Sequence, residues 1–440
     1  MKTCSGNAQH TKGLSGIIKI GSLLKVWILF FLYTCLASIF IQCILLPYIL
    51  SKWHAGGGLL ISSIDSILFQ RIAVDLAAKI KTIGWLAWEL RPQGYAPAGI
   101  AAAIYAITVP KLWTLIPLHA VLHATAAIVI LRLVLLLLPD FKKALFCVLP
   151  FVVYPSAANW YAQIHKDGYA ILGLVLIIYG WVLFFKEAIK LDGIRMMLLS
   201  IVYIISGAFL VWIVRPYMEM VTAYLGLCLS LFMFCIFVSL CIAKRLTFKG
   251  LLTVMVLNLL VIFVVLPRNI FKMPGIETFE VRAQRINKPG MIGVILALRE
   301  DLSIQDAIGK SSIDTDTQFS SLTDILLYVP RAIQIGFFAP FPNQWPAQGS
   351  FESTTFQRKV VAIEMLGVYL ALLFLPFTVW YWRKRIELWI ILFFSVSLLM
   401  IHALLISNIG SLYRVRYGPI MVIVGLCIAG FIKTIELHRR

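Results

Sequence analysis

Apolar residues in this chain fall into blocks that carry few or no charges, several of them 18 residues or longer. That is the length a helix needs to cross about 30 Å of hydrocarbon. In order, the blocks predict helices over Val26–Leu50, Leu112–Leu138, Ala144–Tyr154 (extending towards Ala158), Tyr169–Phe185 and Met197–Val214. Five more follow over Tyr217–Ala243, Leu251–Leu266, Val360–Trp382, Leu388–Ile406 and Pro419–Ile432. The expected fold is an all-α polytopic membrane protein of about ten transmembrane helices. Two weaker patterns lie between the first and second blocks. Ser62–Ala78 is amphipathic, with Ile64, Leu68, Ile72, Leu76 and Ile80 recurring every four residues, and it reads as a helix lying on the membrane. Pro97–Pro110 is apolar but has only 14 residues, which suits a re-entrant or surface helix.

This pattern divides the chain into a transmembrane module over 1–266, with its first outer loop at 51–111; a long hydrophilic segment over 267–358; and C-terminal transmembrane helices over 359–440. The middle segment mixes both charge signs with Ser, Thr, Asp and Gln, and reads as a folded or partly folded outer domain.

Composition agrees: 61% of the 440 residues are hydrophobic and 13% are charged, about half the roughly 25% of soluble domains. The net charge of +19 raises the question of nucleic acid. No basic stripe interleaved with aromatics is present, so no nucleic-acid partner is expected. The excess instead sets topology. The six short segments read as cytoplasmic carry eighteen Lys and Arg, and the three short outer loops carry only Lys166, Arg215, Arg414 and Arg416. Both termini then lie on the cytoplasmic side. The eight cysteines supply neither a disulfide framework nor a metal site, since none lies in an outer loop. The first block is too long for a signal-peptide core and reads as a retained anchor.

The four basic residues that break the charge rule point to chemistry on the outer face. Asp65 stands on the amphipathic helix, about 120° away from the Arg71, Asp75 and Lys79 stripe. Those three are spaced to pair along the surface. Ser62-x-x-Asp65 also has capping-box spacing, so capping and catalysis both remain open for Asp65. Asp167 follows Lys166 at the outer start of a helix. An acid there complements the helix dipole. With the lysine and the helix N-terminus, it also makes a site for phosphate or for a metal bridging phosphate. Arg215, in VRPYMEM, either snorkels to headgroups or clamps phosphate, with Glu219 as a partner. Arg414 and Arg416, beside Tyr413 and Tyr417, read as an interfacial anchor or a holder of a lipid phosphate. His119 and His123 are an i, i+4 pair that either binds metal or bonds between helices.

The order of these parts resembles the GT-C superfamily of polytopic membrane glycosyltransferases. The likeness is greater to its bacterial branch, related to protein mannosyltransferases and to the lipid A aminoarabinose transferase. Asp65 in SIDSILFQRIA falls where that family carries an acid on a juxtamembrane helix, although Ser66 follows it and Phe69 replaces a frequent Tyr. HKDG matches a KD motif through Lys166 and Asp167, RPY matches at Arg215–Tyr217, and RVRYGP at Arg414–Pro419 is similar to a late R-x-R-x-x-P. VPRAIQIGFFAPFPNQW, followed by Glu364, is like a stretch in bacterial members.

The resemblance implies a polyprenyl-phosphate sugar as donor and a glycan, lipid or protein acceptor, with membrane lipids around the site. Asp65 would be the base and Asp167 an orienting acid. Lys166, Arg215, Arg414 and Arg416 would bind the donor phosphate, and transfer would invert the anomeric centre. A divalent metal such as Mg or Mn is compatible with Asp167, and the sequence requires none. The implied setting is a bacterial inner membrane with a periplasmic active face. A transporter or flippase for a lipid-linked saccharide, or a polysaccharide polymerase or ligase, are the alternatives.

Overall fold

The protein is all-α and polytopic in a computed structural model, which describes residues 20–190, 194–242 and 321–439 and positions 255, 256, 258, 259, 299, 312–314, 317 and 319. Among the described residues, eight helices are long and apolar enough to cross a membrane, and a bent pair has the length and composition of a ninth if its two halves form one span. The expected helix over 251–266 lies largely outside the described residues, as does most of 267–320.

Helix α1 (Ile20–Phe40) runs on into a π-helical stretch, Ile41–Ile49, that contains Pro47. Proline lacks an N–H and crowds the preceding turn, which explains the widened winding. A small hairpin follows, in which β1 (His54–Gly56) pairs antiparallel with β2 (Leu59–Leu60). Two helices then lie together, α2 (Ile64–Ile83) and α3 (Ala96–Ile107). Helix α4 (Ile116–Leu137) is the next crossing. Helices α5 (Phe141–Val153) and α6 (Pro155–Tyr161) form the bent pair, broken by 63°. Tyr154 precedes Pro155 and is extended, with ψ 129°, because the proline ring disfavours a helical residue before it.

Helices α7 (Asp167–Lys190), α8 (Ile194–Val214) and α9 (Pro216–Ile242) follow. The α7–α8 pair is packed through glycine: a Cβ on Gly207 would come within 2.5 Å of the Gly173 carbonyl. Small residues let membrane helices approach this closely. Helix α10 (Leu322–Phe338) starts at a capping box, in which Ser321 and Asp324 satisfy each other's backbone N–H. Helices α11 (Glu352–Leu372) and α12 (Leu375–Trp382) together form one crossing. The chain closes with α13 (Ile386–Leu405), the short α14 (Ile409–Val415) and α15 (Tyr417–His438).

Part of the segment assigned to an outer domain belongs to the bundle. In α10, Ala332 and Ile335 are fully buried, and a Cβ on Gly336 would meet the Leu399 carbonyl of α13 at 2.7 Å. Its small and apolar residues pack a helix against the membrane core, which the flanking polar sequence obscures. At one end of the bundle Lys143 bridges Asp140 (3.0 Å) and Glu436 (2.5 Å), and Arg385 donates to the Leu136 carbonyl. The other end carries α2, α3, α6 and α14, and it holds the polar cluster.

Candidate active site

The first turn of α2 is tied down by serines. Ser63, its N-cap residue, makes no side-chain cap, and the expected Ser62–Asp65 capping box does not form. The Ser63 hydroxyl meets the Ser66 hydroxyl at 2.7 Å and His165 Nε2 at 3.1 Å, and Ser66 donates to the Ile164 carbonyl. Gln163 stitches the same loop to the hairpin: its Oε1 accepts from the Leu60 N–H and its Nε2 donates to the Gly58 carbonyl. The loop between α6 and α7 and the start of α2 therefore form one unit. The cap is given up for these contacts, which leaves the Asp65 carboxylate free to reach Arg414 Nη2 at 3.6 Å, while remaining 56% exposed.

The buried face of α2 is Phe69, Ile72, Ala73, Leu76, Ala77 and Ile80, and Ile64 and Leu68 are exposed. A strict four-residue period drifts by about 40° per step around a helix of 3.6 residues per turn. Only part of the expected stripe can therefore face one neighbour. Among the described residues no ion pair joins Arg71, Asp75 and Lys79, so the expected surface pairing is absent.

The face around Phe69 builds a seat for Lys166. Phe69 and Tyr95 meet with ring centroids 4.9 Å apart. The Lys166 ammonium lies 4.8 Å from the Tyr95 centroid and 5.5 Å from that of Phe69. A cation over aromatic faces is stabilised by about 0.5–2 kcal/mol, depending on desolvation. Burial, and after it the Arg215 charge, push Lys166 down to about 8. Burial and the Arg414 charge push the adjacent His165 down to about 4.

Asp167 begins α7 and is 3% exposed. Its Oδ1 accepts from Arg215 Nη2 at 2.5 Å, and Arg215 Nη1 donates to the Tyr217 hydroxyl at 3.0 Å. Pro216 positions this arginine by ending α8 and opening α9 beside it. Arg91, on the loop before α3, donates to the Ile213 and Trp212 carbonyls at the end of α8, which docks the α2–α3 unit over Arg215. Arg215 thus partners Asp167; Glu219, expected beside it, feels the charge of Arg91 instead.

Arg414 is presented by α14. Next to it, the Tyr413 hydroxyl donates to Glu364 Oε2 at 2.6 Å, and Glu364 also accepts from the Ser156 N–H and hydroxyl. Arg416 departs from its expected phosphate role. It is 1% exposed, and its Nη1 donates to the Gly336 carbonyl at 2.7 Å and to that of Ile335 at 3.3 Å. Its guanidinium ties α14 to the end of α10. The alternation of a short helix places residues 414 and 416 about 200° apart, so adjacent arginines point to different places.

His119 and His123 bond between helices. His119 Nδ1 meets the Tyr161 carbonyl at 3.0 Å, and His123 meets the Thr34 hydroxyl at 2.8 Å. Among the described residues no group of three or more His, Cys, Asp or Glu is arranged to hold a metal ion.

The structure thus brings together Asp65, Lys166, Asp167, Arg215 and Arg414, five of the six residues expected from sequence. Phe69, Tyr95, His165 and Glu364 are its further members. A sequence reading singles out charges and passes over Phe69, Tyr95 and His165, which act as platform and support; HKDG held a signal for His165, and Glu364 stood out only through the stretch before it. Of the five expected residues, three are cations and two are carboxylates; each of these carboxylates is ion-paired to an arginine, while Glu364 is held by Ser156 and Tyr413 instead. Lys166 is the cation left over, with no ion pair or hydrogen bond among the described residues. Comparisons with family models, curated proteins and solved structures found no match to this chain.

Proposed function

We propose that this protein is a membrane glycosyltransferase that moves a sugar from a polyprenyl-phosphate donor to a glycan, lipid or protein acceptor. The observation that carries the reading is Lys166. An ammonium held in a largely dry site, seated on two rings and in direct ion pair with no carboxylate among the described residues, suits an anion from outside. Helices α2 and α3 lie at the end of the bundle that holds the cluster, which suits a lipid-borne anion arriving from the membrane. The resemblance in order of parts to GT-C enzymes adds the sugar, and with it a bacterial inner membrane and a periplasmic site.

In this mechanism the donor phosphate takes Lys166 and competes with Asp65 for Arg414. Asp65, released from its 3.6 Å contact, accepts the proton of the acceptor hydroxyl. The acceptor oxygen bonds to the anomeric carbon as the carbon–oxygen bond to phosphate breaks, and its electron pair leaves on the phosphate. Lys166 and Arg414 stabilise that charge, so no strong acid is needed and the anomeric centre inverts. The Asp167–Arg215 pair holds the base of the site rather than taking part in the transfer.

The test is transfer of labelled sugar from a polyprenyl-phosphate donor by reconstituted protein, with Asp65→Asn as the variant. The expected result is loss of transfer with insertion and melting temperature unchanged. Wild-type turnover by Asp65→Asn refutes the base assignment. Movement of label between leaflets without a new glycosidic bond refutes the enzyme.

A further inference from the structure

The α11–α12 span finishes on the sequence WYWRKR, residues 380–385. Aromatic residues followed by basic ones are the ordinary finish of a crossing at the membrane interface. Here that finish borders a cavity. A groove of about 520 Å³ is lined by Phe337 and Phe338 from the end of α10, and by Leu372, Val379, Trp380 and Arg383 from the α11–α12 span. Its size falls within the roughly 300–1,000 Å³ of small-molecule sites. It opens outward, where Phe338 and Trp380 are exposed. From Leu372 to Arg383 the lining runs about 16 Å at the helical rise, close to half of a hydrocarbon core of about 30 Å. The walls are tied in place. The Tyr369 hydroxyl donates to the Phe338 carbonyl at 2.6 Å, and Arg416 donates to that of Gly336. At the rim the Arg383 guanidinium lies 4.0 Å from the Trp380 ring centroid, and its Nη1 donates to the Trp380 carbonyl at 2.7 Å.

Charge and position select the occupant. The rim lies at the end of the bundle away from Asp65 and Lys166, because Arg385, two residues after Arg383, donates to the Leu136 carbonyl there. A prenyl chain with its phosphate on Lys166 would set its apolar end against the Arg383 guanidinium, which is a mismatch. A second copy packed symmetrically on this face would bring two Arg383–Lys384 pairs together. Among the described residues no carboxylate pairs with Arg383 or Lys384, and Glu387 is taken by Arg385 at 2.8 Å. Lysine and arginine beside a crossing attract anionic headgroups. We propose that this groove holds an acyl chain of an anionic phospholipid from the leaflet at that end, with Arg383 and Lys384 taking the phosphate of its headgroup. The site is independent of the transfer reaction.

Native mass spectrometry of the delipidated full-length protein in neutral detergent, titrated with dioleoyl phosphatidylglycerol or dioleoyl phosphatidylcholine, reads the affinity for each lipid. Expected is tighter binding of the phosphatidylglycerol by about 25-fold, from about fivefold for each basic residue at a membrane surface. Arg383→Gln should lower the preference to about fivefold, while Lys142→Gln, at an exposed lysine of the same end, leaves it unchanged. Val379→Trp puts an indole into the groove and should weaken both lipids about tenfold. Arg383 is exposed at the rim, so Arg383→Gln tests the site even where Val379→Trp fails to fold. Equal wild-type affinity for the two lipids, or a preference that Arg383→Gln does not lower or that Lys142→Gln lowers as much, overturns the proposal. Unchanged lipid binding in a folded Val379→Trp, or displacement of the lipid by an equal concentration of glycerol phosphate, overturns the groove as the seat of the chain. A wild-type dimer that Val379→Trp splits gives the groove to a second copy and overturns it as well.

Discussion

If Lys166 takes the donor phosphate as proposed, raising the pH through about 8 is expected to discharge it and to weaken donor binding with it. The perturbation acts on a single charge, because His165, pushed down to about 4, is already neutral across this range. A phosphodiester donor does not titrate there either. A unit charge about 4 Å from the ammonium, at an effective dielectric of about 20, is worth about 4 kcal/mol. Screening by salt and by the nearby carboxylates reduces this to about 2–3 kcal/mol, or roughly 30- to 150-fold in affinity. The same energy raises the bound-state lysine by about two pKa units. Binding is therefore expected to be flat below pH 8, and to weaken about tenfold per pH unit above it until the bound-state lysine discharges in turn. The sign follows from the cation: the free protein loses its proton first, so binding above that point must take one up. Calorimetric titrations of a prenyl-phosphate hexose from pH 6.5 to about 10 read the slope directly. Lys166→Ala should give a flat profile at the weak, high-pH level of the wild type. A flat wild-type profile, or an unchanged slope in Lys166→Ala, refutes Lys166 as the phosphate cation.

The other expected outcomes concern the frame of the site. Arg215→Ala leaves the Asp167 carboxylate buried without its partner, so a loss of about 3–5 kcal/mol is expected, and thermal unfolding in detergent measures it; replacing both residues should recover part of the loss, and an unchanged Arg215→Ala melting point would count against a buried pair. Glu364→Ala strips acceptors from Ser156 and Tyr413, which should cost about 2–4 kcal/mol and loosen α14, read as lower stability together with weaker donor binding. Arg416→Ala should lower stability while donor affinity in the folded fraction stays within about twofold, since its guanidinium serves carbonyls of α10. A large loss of affinity at unchanged stability would restore Arg416 to the phosphate site.

Much of this protein was readable in its sequence because a bilayer is a demanding solvent. Backbone polar groups in hydrocarbon must be satisfied within a helix, so apolar length alone determined the class of fold and placed most described spans to within three residues, while the first, the α11–α12 span and the last run five to eight residues further at one end. Charge asymmetry along the chain grouped Asp65, Lys166, Asp167, Arg215 and Arg414 on one end, because lysine and arginine in short loops follow topology and the exceptions stand out. What the sequence left open was direction and partnership. Period and spacing allowed Asp65 to cap its helix; only the tertiary contact of Ser63 and Ser66 with the loop of His165 turned the cap away and left the carboxylate to Arg414. Two residues separate Arg414 from Arg416, yet the first faces the cluster and the second is buried against α10, since side-chain direction depends on what packs around a short helix. The pairing of Asp167 with Arg215, and the aromatic seat that leaves Lys166 without a partner, join residues from separate helices. Such contacts depend on how the helices are arranged in space, which local periodicity does not encode.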